Sequence, residues 1–163
     1  MSSSILAVTV ALSAVVAAQS QPDFSGRWVL ARPETAAVDV ARTLTVRQPI
    51  VRTNVYGAPM EPFFKEISVD REFVGSKRTD THLIGARGGS VQMGPAGRGA
   101  STTSYARWEE RQLVIDTGRT EDAKFSERTE VWQLDAAGLL TITVTERATG
   151  AEPRATTATY RRY

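Results

Sequence analysis

The stretch Asp23-Phe24-Ser25-Gly26-Arg27-Trp28-Val29-Leu30 decides the fold that the rest of the chain can adopt. Phe24, Trp28 and Leu30 stand at even spacing, so an extended backbone places all three side chains on one face. Gly26 carries no side chain and leaves room for a close approach by another part of the chain. The stretch therefore predicts the first strand of an antiparallel β-structure, with a tryptophan turned toward the core.

The same period of two returns along most of the sequence. Leu44 and Val46 alternate with polar residues, and Leu140, Ile142 and Val144 alternate with threonines in the clearest such pattern of the chain. No stretch has the spacing of an amphipathic helix. About eight to ten short strands predict an all-β fold, an antiparallel up-and-down β-barrel with a β-sandwich as the alternative. The remaining candidate strands lie at 50–56, 66–73, 78–84, 102–108, 112–117, 128–134 and 154–163.

One segment breaks this pattern. Residues 85–100 hold six of the twelve glycines of the chain and also Pro95. Glycine loses more conformational freedom on folding than any other residue, so such a segment is a poor strand former. It predicts a long mobile loop.

The N-terminus is typical of an export signal. Residues 1–18 contain no charged side chain, and an apolar run ends at the small residues Val16-Ala17-Ala18 before polar Gln19. The basic residue that usually begins such a signal is absent. We expect a signal peptide over 1–18 and one domain over 19–163, located in the periplasm or secreted, with no membrane span after cleavage. The alternative is an uncleaved N-terminal anchor.

Composition narrows the classes of partner. The chain has no cysteine, so disulfides do not contribute to its stability. Its formal net charge is only +2, and the basic residues are spread along the sequence. This small excess argues against a nucleic-acid partner, whose phosphates select clustered positive charge.

The motif Gly26-Arg27-Trp28, together with Arg161 or Arg162 in the last candidate strand, resembles the calycin barrels, which include lipocalins, fatty-acid-binding proteins and avidins. In those families the tryptophan closes one end of the barrel and an arginine of the last strand stacks across it. The resemblance implies a structural clamp made of Gly26, Trp28 and Arg161 or Arg162.

The chain after residue 18 is also similar to a group of small secreted bacterial lipocalin-like proteins that begin Asp-Phe-x-Gly-x-Trp and have no agreed activity. The matching features are Asp23 to Trp28, Trp108, and the strand Trp132-Gln133-Leu134. No C-terminal helix of the lipocalin kind is present, so the resemblance implies a shape nearer to avidin.

His82 and Asp80 are the best candidates for chemistry. Two residues apart on a strand, they share one face, and a carboxylate there could orient the imidazole as a general base. The alternative is a bystander histidine outside any pocket. With no second histidine and no cysteine, a metal shell cannot be completed from these residue types. We therefore predict no catalytic residue, no metal site and no cofactor, and an enzyme is the less favoured class.

Other charged residues receive simpler interpretations. Arg71 shares its predicted face with Ile67 and Val69, so an inward Arg71 needs a partner. The acidic pairs Glu109/Glu110, Glu121/Asp122 and Glu127/Glu130 are interpreted as solubilising residues at turns. Arginines within 85–100 would suit an anionic glycan.

Aromatic residues carry the functional hypothesis. Trp108, Trp132, Tyr105 and Tyr160 are predicted to line or border a cavity, although core packing explains them equally well. The first hypothesis is an exported barrel that binds a small apolar or amphipathic molecule. The alternative is an envelope-accessory or protein-interaction domain with a solid barrel, which contacts a protein through 85–100 or through 49–64 with Phe63 and Phe64 as anchors.

Overall fold

The computed structural model describes residues 21–32, 39–51, 54–55, 58–59, 63–93 and 99–163. The predicted signal peptide lies outside these residues. No helix in the described part of the chain is long and apolar enough to cross a membrane.

Ten strands form the main sheet, and most of them occupy segments of alternating residues. They are β1 Gly26–Leu30, β2 Thr43–Arg47, β7 Glu66–Phe73, β8 Ser76–Leu83, β9 Arg87–Met93, β10 Gly99–Glu109, β11 Gln112–Glu121, β12 Lys124–Leu134, β13 Leu140–Ala148 and β14 Arg154–Arg162. Four two-residue strands between β2 and β7 form two separate pairs: β3 Ile50–Val51 with β6 Phe63–Phe64, and β4 Asn54–Val55 with β5 Ala58–Pro59.

The ten strands confirm the prediction of an all-β antiparallel up-and-down barrel. Their order is β8-β7-β2-β1-β14-β13-β12-β11-β10-β9, so each strand of this sheet pairs with the next one along the chain, except β8 with β9, and the first strand pairs with the last. Trp28 lies opposite Leu44 on one side and Arg162 on the other. The barrel is nearly closed, because the edge strands β8 and β9 are joined only through a single bridge from Ile84 to Ala106 on β10.

The inward residues at one end of the barrel form a solid apolar core. Trp28, Trp132 and Phe24 are completely buried. A close-packed interior of this kind leaves no space for a ligand. The other buried apolar residues are Leu30, Ala41, Leu44, Val46, Ile67, Val69, Ala106, Leu113, Ile115, Leu140, Ile142 and Tyr160.

The segment predicted as a mobile loop at 85–100 contains strand β9 and the start of β10, so that prediction is wrong over its described residues. Gly88 pairs with Ser104, and Gly89 pairs with Thr103. A Cβ atom on Gly89 would lie 3.1 Å from the backbone oxygen of Thr102. Here the glycine permits the close approach of two strands. A high glycine content is equally compatible with a flexible loop, so composition alone could not distinguish the two roles.

Candidate functional site

The end of the barrel opposite the core contains an open cavity of about 970 Å³, which we call the chamber. Inward residues from the far halves of β10 to β13 line it, including Ser104, Thr117, Arg128 and Glu146. This volume lies within the usual range of small-molecule sites. The barrel is therefore solid at one end and hollow at the other.

The wall of the chamber is polar and its formal charges balance. Hydroxyl groups come from Thr102, Ser104, Thr117 and Ser126. Paired charges of this kind keep a large cavity hydrated and suit a ligand with polar groups. The charged residues of the lining are the five arginines Arg78, Arg119, Arg128, Arg147 and Arg154 and the five acids Asp80, Glu127, Glu130, Glu146 and Glu152.

Glu130 is the centre of a buried ion-pair network at the floor of the chamber. Its carboxylate accepts hydrogen bonds from Arg71 Nη2 at 2.7 Å, from Trp132 Nε1 at 2.9 Å and from Arg128 Nε at 3.0 Å. Burial alone would raise the pKa of Glu130, but the positive charges of Arg71 and Arg128 outweigh it and lower this pKa to about 2. Glu130 is thus ionised across the physiological pH range.

Two further acids extend the network toward the chamber. Asp80 accepts a hydrogen bond from Arg71 Nε at 3.2 Å and another from Arg78 Nε at 2.8 Å. Arg128 also pairs with Glu146 on β13. Burial opposes the charge of Arg71, yet its pKa is raised because Glu130 and Asp80 stabilise the guanidinium. The inward Arg71 has the partners that its position required.

Glu130 corrects an interpretation made from the sequence. Grouped with Glu127, it was assigned to a turn, but it lies in the middle of β12 and is only 4% exposed. The missed signal is its spacing of two from Trp132, which places it on the inward face. Charged side chains are usually exposed, and Glu130 was therefore interpreted as a surface residue.

His82 lies in the chamber wall, contrary to the expectation that it stays outside any pocket. The residue is 8% exposed, and its Nδ1 atom is buried without a hydrogen-bond partner among the described residues. Burial lowers its pKa, and this outweighs the opposing influence of Glu130 and Asp80. The imidazole therefore faces the chamber as a neutral group at pH 7.

A narrower recess of about 30 Å³ adjoins the chamber between β7, β13 and β14. Arg128, Glu146 and Arg154 line both spaces and form the boundary between them. The recess is large enough for about two water molecules or a small apolar group. The rest of its wall combines the apolar residues Val40, Ala41, Phe73, Ile142, Val144 and Ala158 with the polar residues Asp39, Arg71, Thr156 and Tyr160.

Of the four aromatic residues predicted to border a cavity, Tyr160 lines the recess. Its hydroxyl donates to the backbone oxygen of Ala41 at 3.0 Å, and burial raises its pKa to about 12. Trp132 is completely buried in the core, and it contacts the network through its Nε1 atom and through its ring, whose centroid lies 5.7 Å from the guanidinium of Arg71. Trp108 stacks on Phe24 with ring centroids 5.9 Å apart.

Trp108 and Tyr105 line neither the chamber nor the recess. Trp108 Nε1 is buried without a partner among the described atoms, and the ring centroids of Trp108 and Phe64 lie 6.3 Å apart. Tyr105 follows the inward-facing Ser104 in the strand, so its side chain lies on the outer face of the barrel. There its ring lies under the guanidinium of Arg107. A ligand-binding role for these two aromatics stays a prediction.

The residues of the predicted clamp meet at the solid end. The guanidinium of Arg162 lies 4.8 Å from the centroid of the Trp28 ring and donates to the backbone oxygen of Asp23 at 3.4 Å. A Cβ on Gly26 would lie 3.7 Å from Arg162 Nε, and the φ of Gly26 is 134°. Arg161 is exposed and lies opposite Val29. Arg162, rather than Arg161, thus makes the contact with Trp28.

The described side chains form no cluster of three or more histidine, cysteine or acidic residues that could hold a metal ion. A comparison of the chain with protein-family models finds no match, and a comparison with curated proteins finds none. Fold and site define a nearly closed antiparallel β-barrel that contains a polar chamber, and this shape is compatible with a calycin-like fold.

Proposed function

We propose that this barrel is an exported, calycin-like binding protein that holds a small amphipathic molecule. The observation that carries the proposal is that the chamber of about 970 Å³ adjoins the recess, where apolar side chains such as Val144 and Ala158 lie beside Arg128, which lines both spaces. A ligand with both kinds of group matches both spaces. Its polar part would occupy the chamber and an apolar group would enter the recess.

The chemistry of the lining favours an amphipathic ligand over a wholly apolar one. A hydrocarbon that filled the chamber would remove water from Arg78, Arg128 and Glu146 without replacing the lost hydrogen bonds. Hydroxyl, amide or acid groups of a ligand can replace that water. Of the two ligand classes expected from the sequence, apolar and amphipathic, we therefore propose the amphipathic one.

The solid half of the barrel accounts for the stability of the fold, so the charged residues of the other half are available for binding. Trp28, Trp132 and the apolar residues around them supply the packed core that stability requires. The charged residues around Glu130 are not needed for apolar burial, yet they are arranged at the chamber floor with complete pairing. Such an arrangement is typical of a site that holds polar groups in fixed directions.

Export to the periplasm or the medium belongs to the same proposal. It rests on the N-terminal stretch 1–18, which has no charged side chain and ends in small residues, and the host cell can test it directly. Edman sequencing of protein recovered from the periplasm or medium should begin close to Gln19. Recovery of the intact N-terminus from the membrane fraction would instead support the uncleaved anchor.

Isothermal titration calorimetry with octanoate, octyl glucoside and naphthalene tests the site. We expect saturable binding of an amphipathic probe and weaker binding of naphthalene. Ser104→Phe, which places a bulky apolar ring in the chamber wall, should weaken binding, whereas Thr103→Phe on the outer face of the same strand should not. Equal binding by both variants, or no heat from any probe, would contradict the chamber as a ligand site.

A further inference from the structure

Strands β8 and β9 are the two edges of the main sheet. Among the described strands, β8 pairs only with β7 and β9 only with β10. The edges approach each other at one end, where the N–H of Gly85 donates to the backbone oxygen of Ala106 at 2.7 Å. The gap that continues from this point between β8 and β9 is called the slit below.

The backbone groups of β8 that face the slit follow from its pairing. The N–H of Ile84 donates to the oxygen of Lys65 on the β7 side at 2.8 Å. Residues of an antiparallel strand direct their backbone groups to alternate sides, so the even-numbered residues of β8 bond to β7. Thr79 and Thr81 therefore direct N–H and C=O into the slit, and both residues are exposed.

The facing edge presents the same pattern. The backbone oxygen of Ala106 points toward Gly85, so the even-numbered residues of β10 bond on the side of β9. Gly88, the partner of Ser104, uses its backbone groups in that ladder. Arg87 and Gly89 therefore direct theirs into the slit.

The slit is continuous with the chamber. All six residues from Arg78 to Leu83 line the chamber, although successive side chains of a strand point to opposite faces. A cavity confined to the barrel interior would touch only every second one. Because Gly88 and Gly89 on the other edge also line it, the chamber opens sideways between the two strands.

We infer that the slit accepts an extended peptide segment of another protein, which pairs with the backbone of both β8 and β9 and completes the barrel wall. Along both edges, N–H and C=O groups without a backbone partner among the described residues repeat at every second residue, and the ligand chemistry that matches this repeat is another β-strand. The bridge between Ile84 and Ala106 is parallel, so β8 and β9 run antiparallel. An inserted strand would be antiparallel to one edge and parallel to the other.

Side chains at the slit indicate the kind of peptide. On the inner face stand His82, Asp80 and the side-chain-free Gly88, and on the outer face stand Thr79 and Thr81. An inward side chain of the peptide would meet neutral imidazole and carboxylate oxygen, which suits serine, threonine or glutamine. Outward positions suit β-branched residues, as in other sheets.

Amide hydrogen exchange resolved by NMR tests the inference on the whole protein. The probe is a pool of capped hexapeptides with serine, threonine or glutamine at alternate positions and valine or threonine between them. We expect slower exchange at Thr79, Thr81 and Gly89, with no change at amides of the β11 and β12 ladders. Unchanged exchange at the slit with the whole pool in excess would overturn the inference.

A pair of substitutions at one position separates backbone pairing from side-chain contact. Thr81→Pro removes an N–H that faces the slit but leaves the β7 ladder intact, since Asp80 and His82 carry the bonds to β7. It should weaken binding of the best peptide about tenfold, whereas Thr81→Val should bind within about twofold of the original protein. Equal binding by the two variants would overturn backbone pairing.

A second copy of this chain is the competing occupant. It would give protection at the slit without peptide, rising with protein concentration and accompanied by dimer in analytical ultracentrifugation. That result would overturn the peptide assignment. The test does not depend on the small-molecule ligand, because octanoate or octyl glucoside offers no repeating N–H and C=O groups and should leave exchange at Thr81 unchanged.

Discussion

The carboxylate of Glu130 on β12 lies 2.7 Å from the guanidinium of Arg71 on β7, and the two side chains are only 6% and 5% exposed. The two residues are 59 positions apart in the sequence. Removing two charges from water is costly, and the cost is recovered only if their hydrogen bonds are satisfied. Arg128 and Trp132 donate further hydrogen bonds to Glu130, and Asp80 accepts one from Arg71. The ion pair therefore holds the floor of the chamber in one arrangement.

Breaking this pair on one side should be more harmful than removing it entirely. Glu130→Leu leaves Arg71 buried with only Asp80, and should lower the free energy of unfolding by about 3–5 kcal/mol. Arg71→Leu combined with Glu130→Leu should recover much of that loss, because no uncompensated charge remains between them. Urea denaturation of both single variants and the double variant measures the coupling. Strict additivity of the two single effects would show that the pair does not act as a unit.

His82 should make stability depend on pH just below neutrality. Its pKa in the folded protein is lowered from the ordinary 6.5, so the unfolded chain binds more protons in this range. Stability should therefore fall as pH decreases below about 6.5 and stay level above it. Glu130 contributes only at more acidic pH, since its pKa changes from an ordinary 4.5 to about 2.

Thermal melts of the original protein and of His82→Gln between pH 7.5 and 5 check this expectation. The variant carries no titrating group at position 82, so the decline that begins near pH 6.5 should be absent from its curve. Parallel curves for the two proteins would show that His82 does not cause the decline.

The arginine that stacks on Trp28 should contribute to stability, and its neighbour should not. Arg162→Ala removes a cation–π contact at 4.8 Å and should cost about 1 kcal/mol. Arg161→Ala changes an exposed side chain on the opposite face of the same strand, and should fall within about 0.5 kcal/mol of the original protein. Chemical denaturation of the two variants compares them directly. An equal effect of both substitutions would assign the contribution to general surface charge.

The two adjacent glycines of β9 should differ in their tolerance of a methyl group. A Cβ on Gly89 would lie 3.1 Å from the backbone oxygen of Thr102, which cannot rotate away, whereas the nearest atom to a Cβ on Gly88 is the Ser104 hydroxyl at 3.6 Å. Gly89→Ala should therefore be less stable than Gly88→Ala, by roughly 1 kcal/mol. Thermal unfolding gives the comparison. If Gly88→Ala melts at the lower temperature, then close packing between β9 and β10 is not the reason for these glycines.

Alternation in the sequence determined most of the strands and the face that each side chain occupies. Phe24, Trp28 and Leu30 indicated the buried face of the first segment, and Leu140 with Ile142 indicated that of β13. Such inferences succeed because a period of two is a local property of extended backbone. Even the inward position of Arg71 could be recognised in this way, together with its need for a partner.

Only the tertiary structure decided which inward polar residues meet. Glu130 is selected as the partner of Arg71 by strand order and shear around the barrel, which are properties of the closed sheet and not of any local segment. The same closure buries His82 in the wall of a chamber and leaves β8 and β9 as edges. It also makes a strand of the glycine-rich segment, because pairing with β10 outweighs the poor intrinsic preference of Gly88 and Gly89 for extended structure.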